Sequence, residues 1–178
     1  MRYKTIFDLI ATEFGRAKIP FVLVGGFAVN HYKVSRATAD VDLMMTEENY
    51  ERALSLFKQN GYKETVRTSL FARLEGNEPL LMDLDVLFVD PKTFEGIVSE
   101  SVAIEINGKK LKVPSLNHLI ALKLHSLKNN FAHRQIPDLV DIINLVRINQ
   151  IDVRKDSFRE LCLKYGTQEL YEKVLKSV

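Results

Sequence analysis

Apolar residues recur at helical spacing over residues 2–17, where Ile6, Leu9, Ile10 and Phe14 line one side of a predicted helix. Pro20 closes that approach, and Phe21–Val24 is a short apolar run with the pattern of a buried strand. Gly25-Gly26 opens a further helix through Ala28, Val29 and Tyr32, and Asp40–Met45 reads as the next strand. Thr46 is placed as the N-cap of a helix over Glu47–Asn60, which Gly61 terminates. Tyr62–Arg67 and Leu70–Leu74 predict two more strands. The turn Gly76-Asn77-Glu78-Pro79 leads into a strand over Leu80–Val89, followed by a short helix over Pro91–Glu100. Val102–Ile106 and Lys109–Val113 alternate around Asn107-Gly108, the sequence of a tight hairpin. Beyond Pro114 the spacing is helical throughout. Ser115 caps a helix to Asn129, Pro137 opens another to Ile148, and one or two more fill the tail.

The pattern predicts a mixed α/β (α+β) core over residues 1–114 and a helical C-terminal lobe over 115–178, packed as a single compact unit. A cleft between the two is the expected place for a ligand. The chain's 178 residues, 46% of them hydrophobic, suffice for a buried core. Cys162 is the only cysteine, so an internal disulfide is excluded and a reducing compartment is expected. The first residues lack the charged, apolar and cleavage regions of a signal peptide. The apolar stretches are too short to span a bilayer, so the expectation is a cytoplasmic protein with no membrane partner.

A net charge of +2 does not by itself argue for nucleic acid. The distribution is more telling. Lys109, Lys110, Lys112, Lys123, Lys128 and Arg134 fall in a stretch without a single Asp or Glu. That stretch is either a solvated basic surface or a positive wall facing phosphates.

The chemistry concentrates where two apolar runs meet polar punctuation. Asp40 and Asp42 occupy alternate strand positions, so they share a face about 6.5–7 Å apart along it. Two anions so placed repel unless a cation lies between them. Gly25-Gly26, at the preceding strand-to-helix corner, offers bare backbone N–H groups to a phosphate. Asp83 and Asp85 form a second alternating pair, with Met82, Leu84, Val86 and Phe88 on the opposite face. If the two strands are neighbours, up to four carboxylates converge. Oxygen donors suit magnesium, and two such ions about 3.5–4 Å apart bind attacking hydroxyl, α-phosphate and leaving pyrophosphate. A remaining carboxylate could deprotonate the hydroxyl. Either pair alone is equally the wet face of a half-buried sheet; both together, preceded by Gly-Gly, favour a cation site.

Gly25-Gly26-Phe27-Ala28, then Arg36-Ala37-Thr38-Ala39-Asp40-Val41-Asp42, then a later strand aspartate, resemble the DNA polymerase β-type nucleotidyltransferase superfamily. The smaller members are most similar: the minimal nucleotidyltransferases and the nucleotidyltransferase-like toxins of abortive-infection systems. The resemblance is tightest over Phe21–Met45. It extends more loosely through the Asp85 strand and through Pro114-Ser115-Leu116-Asn117-His118-Leu119-Ile120-Ala121-Leu122-Lys123, with Asp138 and Asp141 on the next helix.

The resemblance implies a polymerase β-like core with a mixed sheet. The implied reaction is transfer of a nucleoside monophosphate from an NTP, ATP included, to a hydroxyl, with two Mg2+ ions. Gly25 and Gly26 would hold the β- and γ-phosphates, and Asp40 and Asp42 would bind both metals. Asp85 is the choice for the third carboxylate, with Asp83 its rival on the same face. Lys123 would neutralise triphosphate charge, and Arg36 and Thr38 would contact phosphate or position Asp40. Implied acceptors are tRNA, a protein or a small molecule such as an aminoglycoside, and the toxin-like relatives add an antitoxin-like partner protein. The alternative is a non-catalytic nucleotide-sensing or partner-binding module on the same fold.

The other candidates have plainer readings. Arg36 could be a surface-loop arginine, and Lys123, among apolar neighbours, a snorkelling one. His118 and His125 lack a third ligand at zinc spacing. His133-Arg134 reads as a loop, Asp138 and Asp141 suit a helix N-terminus, and Cys162 reads as packed. No P-loop motif occurs.

Overall fold

Strand alternation decides the architecture. The computed structural model describes residues 3–78, 81–129 and 135–178. In β2 (Asp40–Met45) the odd-numbered Val41, Leu43 and Met45 point one way, and Asp40, Asp42 and Met44 the other. The same split runs along β5 (Asp83–Phe88), which pairs with β2 in parallel, Asp40 opposite Asp83 and Asp42 opposite Asp85. The apolar faces of both strands therefore coincide and are buried, and so do the two aspartate pairs.

These strands are central to a five-stranded mixed sheet ordered β1-β2-β5-β4-β3. β1 (Val22–Leu23) runs antiparallel to β2, and β4 (Phe71–Gly76) lies antiparallel between β5 and β3 (Tyr62–Arg67). Helix α4 (Glu47–Gln59) buries Tyr50, Ala53 and Phe57, with Tyr50 against Phe88 at 5.0 Å between ring centroids. Thr46 caps α4 by accepting from the Asn49 N–H.

The N-terminal helix is not uniform. α1 (Ile6–Leu9) and α2 (Gly15–Ala17) are joined by a π-helical turn over Ile10–Phe14. α1 begins at a Thr5 cap, and residue 2 of the expected helix lies outside the described residues. α5 (Pro91–Ser99) is capped by Asp90, whose carboxylate accepts from the Thr93 N–H at 3.0 Å. β6 (Val102–Ile106) and β7 (Lys109–Val113) form the expected hairpin, with Asn107 and Gly108 both at positive φ.

The described chain divides into two units. The first holds the chain up to Ala28 and again Ala37–Pro114; the second holds Val29–Arg36 and Ser115–Val178. Helix α3 (Gly25–His31) contributes to both, so the 29–36 segment falls with the helices and not with the expected N-terminal core. The second unit packs α6 (Leu116–Lys128), α7 (Gln135–Ile148), α8 (Asp156–Tyr165) and α9 (Gln168–Ser177) around Ile120, Leu124, Ile142, Leu145, Cys162 and Val174. Burial pushes the Cys162 thiol up to about 11.

Several boundaries differ from the sequence pattern for identifiable reasons. β5 starts at Asp83, not at the expected Leu80, which lies outside the described residues together with Pro79. The Met82 carbonyl accepts from the Tyr62 hydroxyl at 3.0 Å instead of joining the ladder. β4 starts at Phe71 because the Thr68 hydroxyl accepts from the Leu70 and Phe71 N–H groups and holds a turn. α7 begins at Gln135, ahead of Pro137, which is tolerated in a first turn where its missing N–H has no intrahelical partner. No helix among the described residues is long and apolar enough to cross a membrane.

Candidate active site

The site is built from the backbone of the β1–α3 corner. Val22 and Leu23 pair with Met44 and Leu43, and the Val24 N–H donates to the Asp42 carbonyl at 2.9 Å. The chain then turns at Gly25 with φ of +59°, a left-handed conformation that glycine adopts without a Cβ penalty. Space enforces glycine as well, since a Cβ there would overlap the Asp42 carboxylate. A Cβ on Gly26 would meet Thr38 Cβ at 2.7 Å. Thr38 Oγ1 lies 3.0 Å from the Asp40 carbonyl and 3.1 Å from Asp40 Oδ1, donating to them. Each glycine thus makes room for one support of the aspartate pair: Gly25 for Asp42 itself, Gly26 for the threonine that orients Asp40.

On the other side of β2, the parallel register brings Asp83 and Asp85 beside Asp40 and Asp42. Neighbouring strands lie about 4.8 Å apart, so four carboxylates share one face of the sheet. The two members of the β5 pair are not equivalent. Asp83 Oδ1 accepts from the Gly76 N–H at 3.3 Å, and its Oδ2 faces Arg73 Nη2 at 3.3 Å. Both oxygens of Asp85 face Arg73 Nη1, each at 3.3 Å. Asp83 is therefore tied to the backbone of β4 as well as to Arg73, which also faces both oxygens of Asp85.

Arg73 is the residue that sequence reasoning missed. It sits opposite Asp85 on β4, and its guanidinium is held protonated mainly by the Asp85 charge, against an opposing cost of burial, with Asp83 and Asp40 adding to it. Its signal was available: a lone cation between the buried Ala72 and Leu74 points to the polar face of whatever strand lies beside it. The same field reaches Tyr62, whose hydroxyl is pushed up by burial and by Asp83.

Magnesium is the metal that the resemblance implies. The donor set fits, since Asp40, Asp42, Asp83 and Asp85 offer oxygen only. Among the described residues no three carboxylate, imidazole or thiol groups already converge on one ion position.

Two other expected site residues belong to the helical unit. Lys123 does not snorkel: its side chain is 6% exposed in the helical unit, with Nζ 2.8 Å from Asp138 Oδ1 and 2.7 Å from Asp141 Oδ2. Arg36 pairs with Asp141, and its backbone is clamped by Asn30, which accepts from the Arg36 N–H at 2.8 Å and donates to its carbonyl at 2.9 Å. Both cations are paired with carboxylates of their own unit.

The basic stretch is divided: Lys112 and Lys128 are exposed, and three of its lysines are engaged within the fold. Lys109 pairs with Asp8 at 3.4 Å, Lys110 stands opposite Glu105 in the hairpin, and Lys123 is buried. Arg134 and His133 lie outside the described residues. His118 and His125 serve their own helix, beside Ser115 Oγ at 3.2 Å and Asn129 Nδ2 at 3.0 Å.

A family model described as "Uncharacterised nucleotidyltransferase" matches residues 1–178. A comparison with curated proteins finds no significant match. Among solved structures, the fold is similar to an antigenic nucleotidyltransferase-like protein from Paracoccidioides brasiliensis, 16% identical, with a TM-score of 0.58 over 95% of this chain and 89% of that one. It is also similar to the Megavirus polyadenylate synthase, at 16% identity and a TM-score of 0.57 over 84% of this chain and 32% of that one. A lincosamide antibiotic adenylyltransferase with lincomycin bound aligns at 18% identity and a TM-score of 0.53, over 76% of this chain and 90% of that one. At these identities the structures speak for the fold. Because the family match runs through every residue that builds both units, the chain belongs to that family of nucleotidyltransferases.

Proposed function

We propose that the protein transfers a nucleoside monophosphate from an NTP to the hydroxyl of a small molecule, with magnesium and with release of pyrophosphate. The observation that carries this reading is the register of β2 on β5, which puts Asp40, Asp42, Asp83 and Asp85 on one sheet face next to the glycine corner. Asp40, Asp42 and Asp85 would hold the metal ions, which supply charge neutralisation at the phosphates when bound. Gly25 and Gly26 would offer their backbone N–H groups to the β- and γ-phosphates. Asp85, across β2 from that corner, faces the acceptor and takes the proton of its hydroxyl. The acceptor oxygen forms a bond to the α-phosphorus as the bond to the bridging oxygen breaks, and pyrophosphate departs. Thr38 and Asp83 position the carboxylates and touch neither reactant.

A small acceptor is favoured over a polyanion because three lysines of the basic stretch are engaged within the fold: Lys109 is paired with Asp8, Lys110 stands opposite Glu105, and Lys123 is buried. The lincomycin-bound adenylyltransferase among the structural neighbours is consistent with that class. The test supplies the protein and Asp42→Ala with magnesium, α-labelled NTPs and three acceptor sets: aminoglycosides and lincosamides, tRNA, and host protein. Label on a small molecule with the wild type alone is the expected result. Label in tRNA or protein would replace the small acceptor with a macromolecular one, as in an antitoxin-controlled toxin. Full transfer by Asp42→Ala would overturn the site assignment.

A further inference from the structure

Four carboxylates on one face need a counter-charge before any metal arrives, and the sheet supplies one. We propose that Arg73 is the resting counter-cation of Asp83 and Asp85, and that divalent metal enters the site by exchanging with it; this rests on the metal-dependent reading above. The strand register fixes the proximity, since Arg73 stands directly opposite Asp85 and its fork spreads across to Asp83.

The hold is loose. The contacts from Arg73 to both aspartates are 3.3 Å, longer than the roughly 2.7–2.9 Å of a docked charge-assisted pair. One nitrogen is shared by both oxygens of Asp85 while the other reaches Asp83, a compromise between two anions that settles on neither. The Arg73 side chain is 36% exposed, and its same-face neighbours Phe71 and Leu87 are 38% and 37% exposed. The guanidinium can therefore leave into solvent without opening the core. The opposite holds for Lys123, buried between two carboxylates at 2.7–2.8 Å. A cation that is partly exposed and loosely shared between two carboxylates is one that a divalent ion can displace.

The measurement is Mn2+ binding to the nucleotide-free protein, by titration calorimetry and by the spin resonance of free Mn2+. Arg73→Gln removes the charge and keeps amide donors towards the aspartates; Arg73→Lys keeps the charge and loses the fork. Exchange predicts that R73Q binds Mn2+ about tenfold more tightly than wild type, while R73K stays within about twofold. It also predicts that the thermal midpoint of R73Q falls in EDTA and is restored by Mn2+. If R73Q binds Mn2+ no more tightly than wild type, Arg73 is a strand brace and the proposal is overturned. Should R73Q fail to fold without metal, recovery of its circular-dichroism signal on adding Mn2+ is expected, and no recovery overturns the proposal. If neither wild type nor variants bind Mn2+, with or without ATP, the metal-dependent reading itself falls and takes the exchange with it.

Discussion

In the helical unit, Asp138 and Asp141 meet Lys123 and Arg36, two anions for two cations, with both aspartates and the lysine buried. On the sheet, Asp40, Asp42, Asp83 and Asp85 share one face with Arg73, four carboxylates beside one guanidinium among the described residues, and the β5 aspartates and the arginine remain partly exposed. Both clusters contain carboxylates near basic groups, so residue type does not tell them apart. Charge balance and access do. A balanced buried cluster is complete and has nothing to offer a ligand. An unbalanced, open one is destabilised by its own repulsion and is relieved by any cation that enters. The first is architecture, and the second is the cluster that the proposed function employs.

The sharpest way to break this contrast is to remove one charge from each cluster. Lys123→Met strands Asp138 in the helical core and leaves Asp141 to Arg36, and breaking a buried pair costs about 3–5 kcal/mol. Urea denaturation should show that loss, and adding Asp138→Asn should recover most of it. Asp42→Ala, by contrast, removes repulsion and should leave the midpoint unchanged or raise it. If K123M is as stable as the wild type, the helical cluster is not the balanced structure its contacts imply.

Within the sheet cluster the β5 pair should divide by role. On the proposed reading Asp85→Asn removes a metal ligand and proton acceptor, and kcat/KM for transfer should fall by about 10²–10³-fold. Asp83 is tied to the Gly76 N–H and to Arg73, so Asp83→Asn should reduce kcat/KM by only about tenfold, through displacement of its neighbours. Equal losses for the two variants would mean that both bind metal directly.

The carboxylate face was legible from sequence because alternation is local. Asp40, Asp42, Asp83 and Asp85 announce a polar face by period alone, and the Asn107-Gly108 hairpin follows from the same logic. What period cannot reveal is which strands are neighbours. Arg73 could be assigned no partner until β4 was known to lie against β5. The partners of Lys123 were hidden for the same reason: its position on an apolar helix says which face it occupies, not that Asp138 and Asp141 wait there on α7. The π turn at Ile10–Phe14 left no trace in the pattern, because the apolar spacing on either side suits an ordinary helix.

The smallest expected effect concerns the residue that positions one carboxylate. Thr38 Oγ1 has one proton and two acceptors, the Asp40 carbonyl at 3.0 Å and Oδ1 at 3.1 Å, and it sits in the space that Gly26 leaves by lacking a Cβ. Thr38→Val keeps the shape and loses the bond, worth about 1 kcal/mol, so kcat/KM should drop about fivefold. Thr38→Ser restores the hydroxyl and should restore the rate. Asn30 is the counterpart in the balanced cluster, clamping the Arg36 backbone from both sides. Asn30→Ala should lower the urea midpoint by a similar free energy and leave metal affinity alone, whereas Thr38→Val should weaken Mn2+ binding with little change in midpoint. A crossed result, with stability lost at Thr38 and metal affinity lost at Asn30, would reverse the assignment of the two clusters.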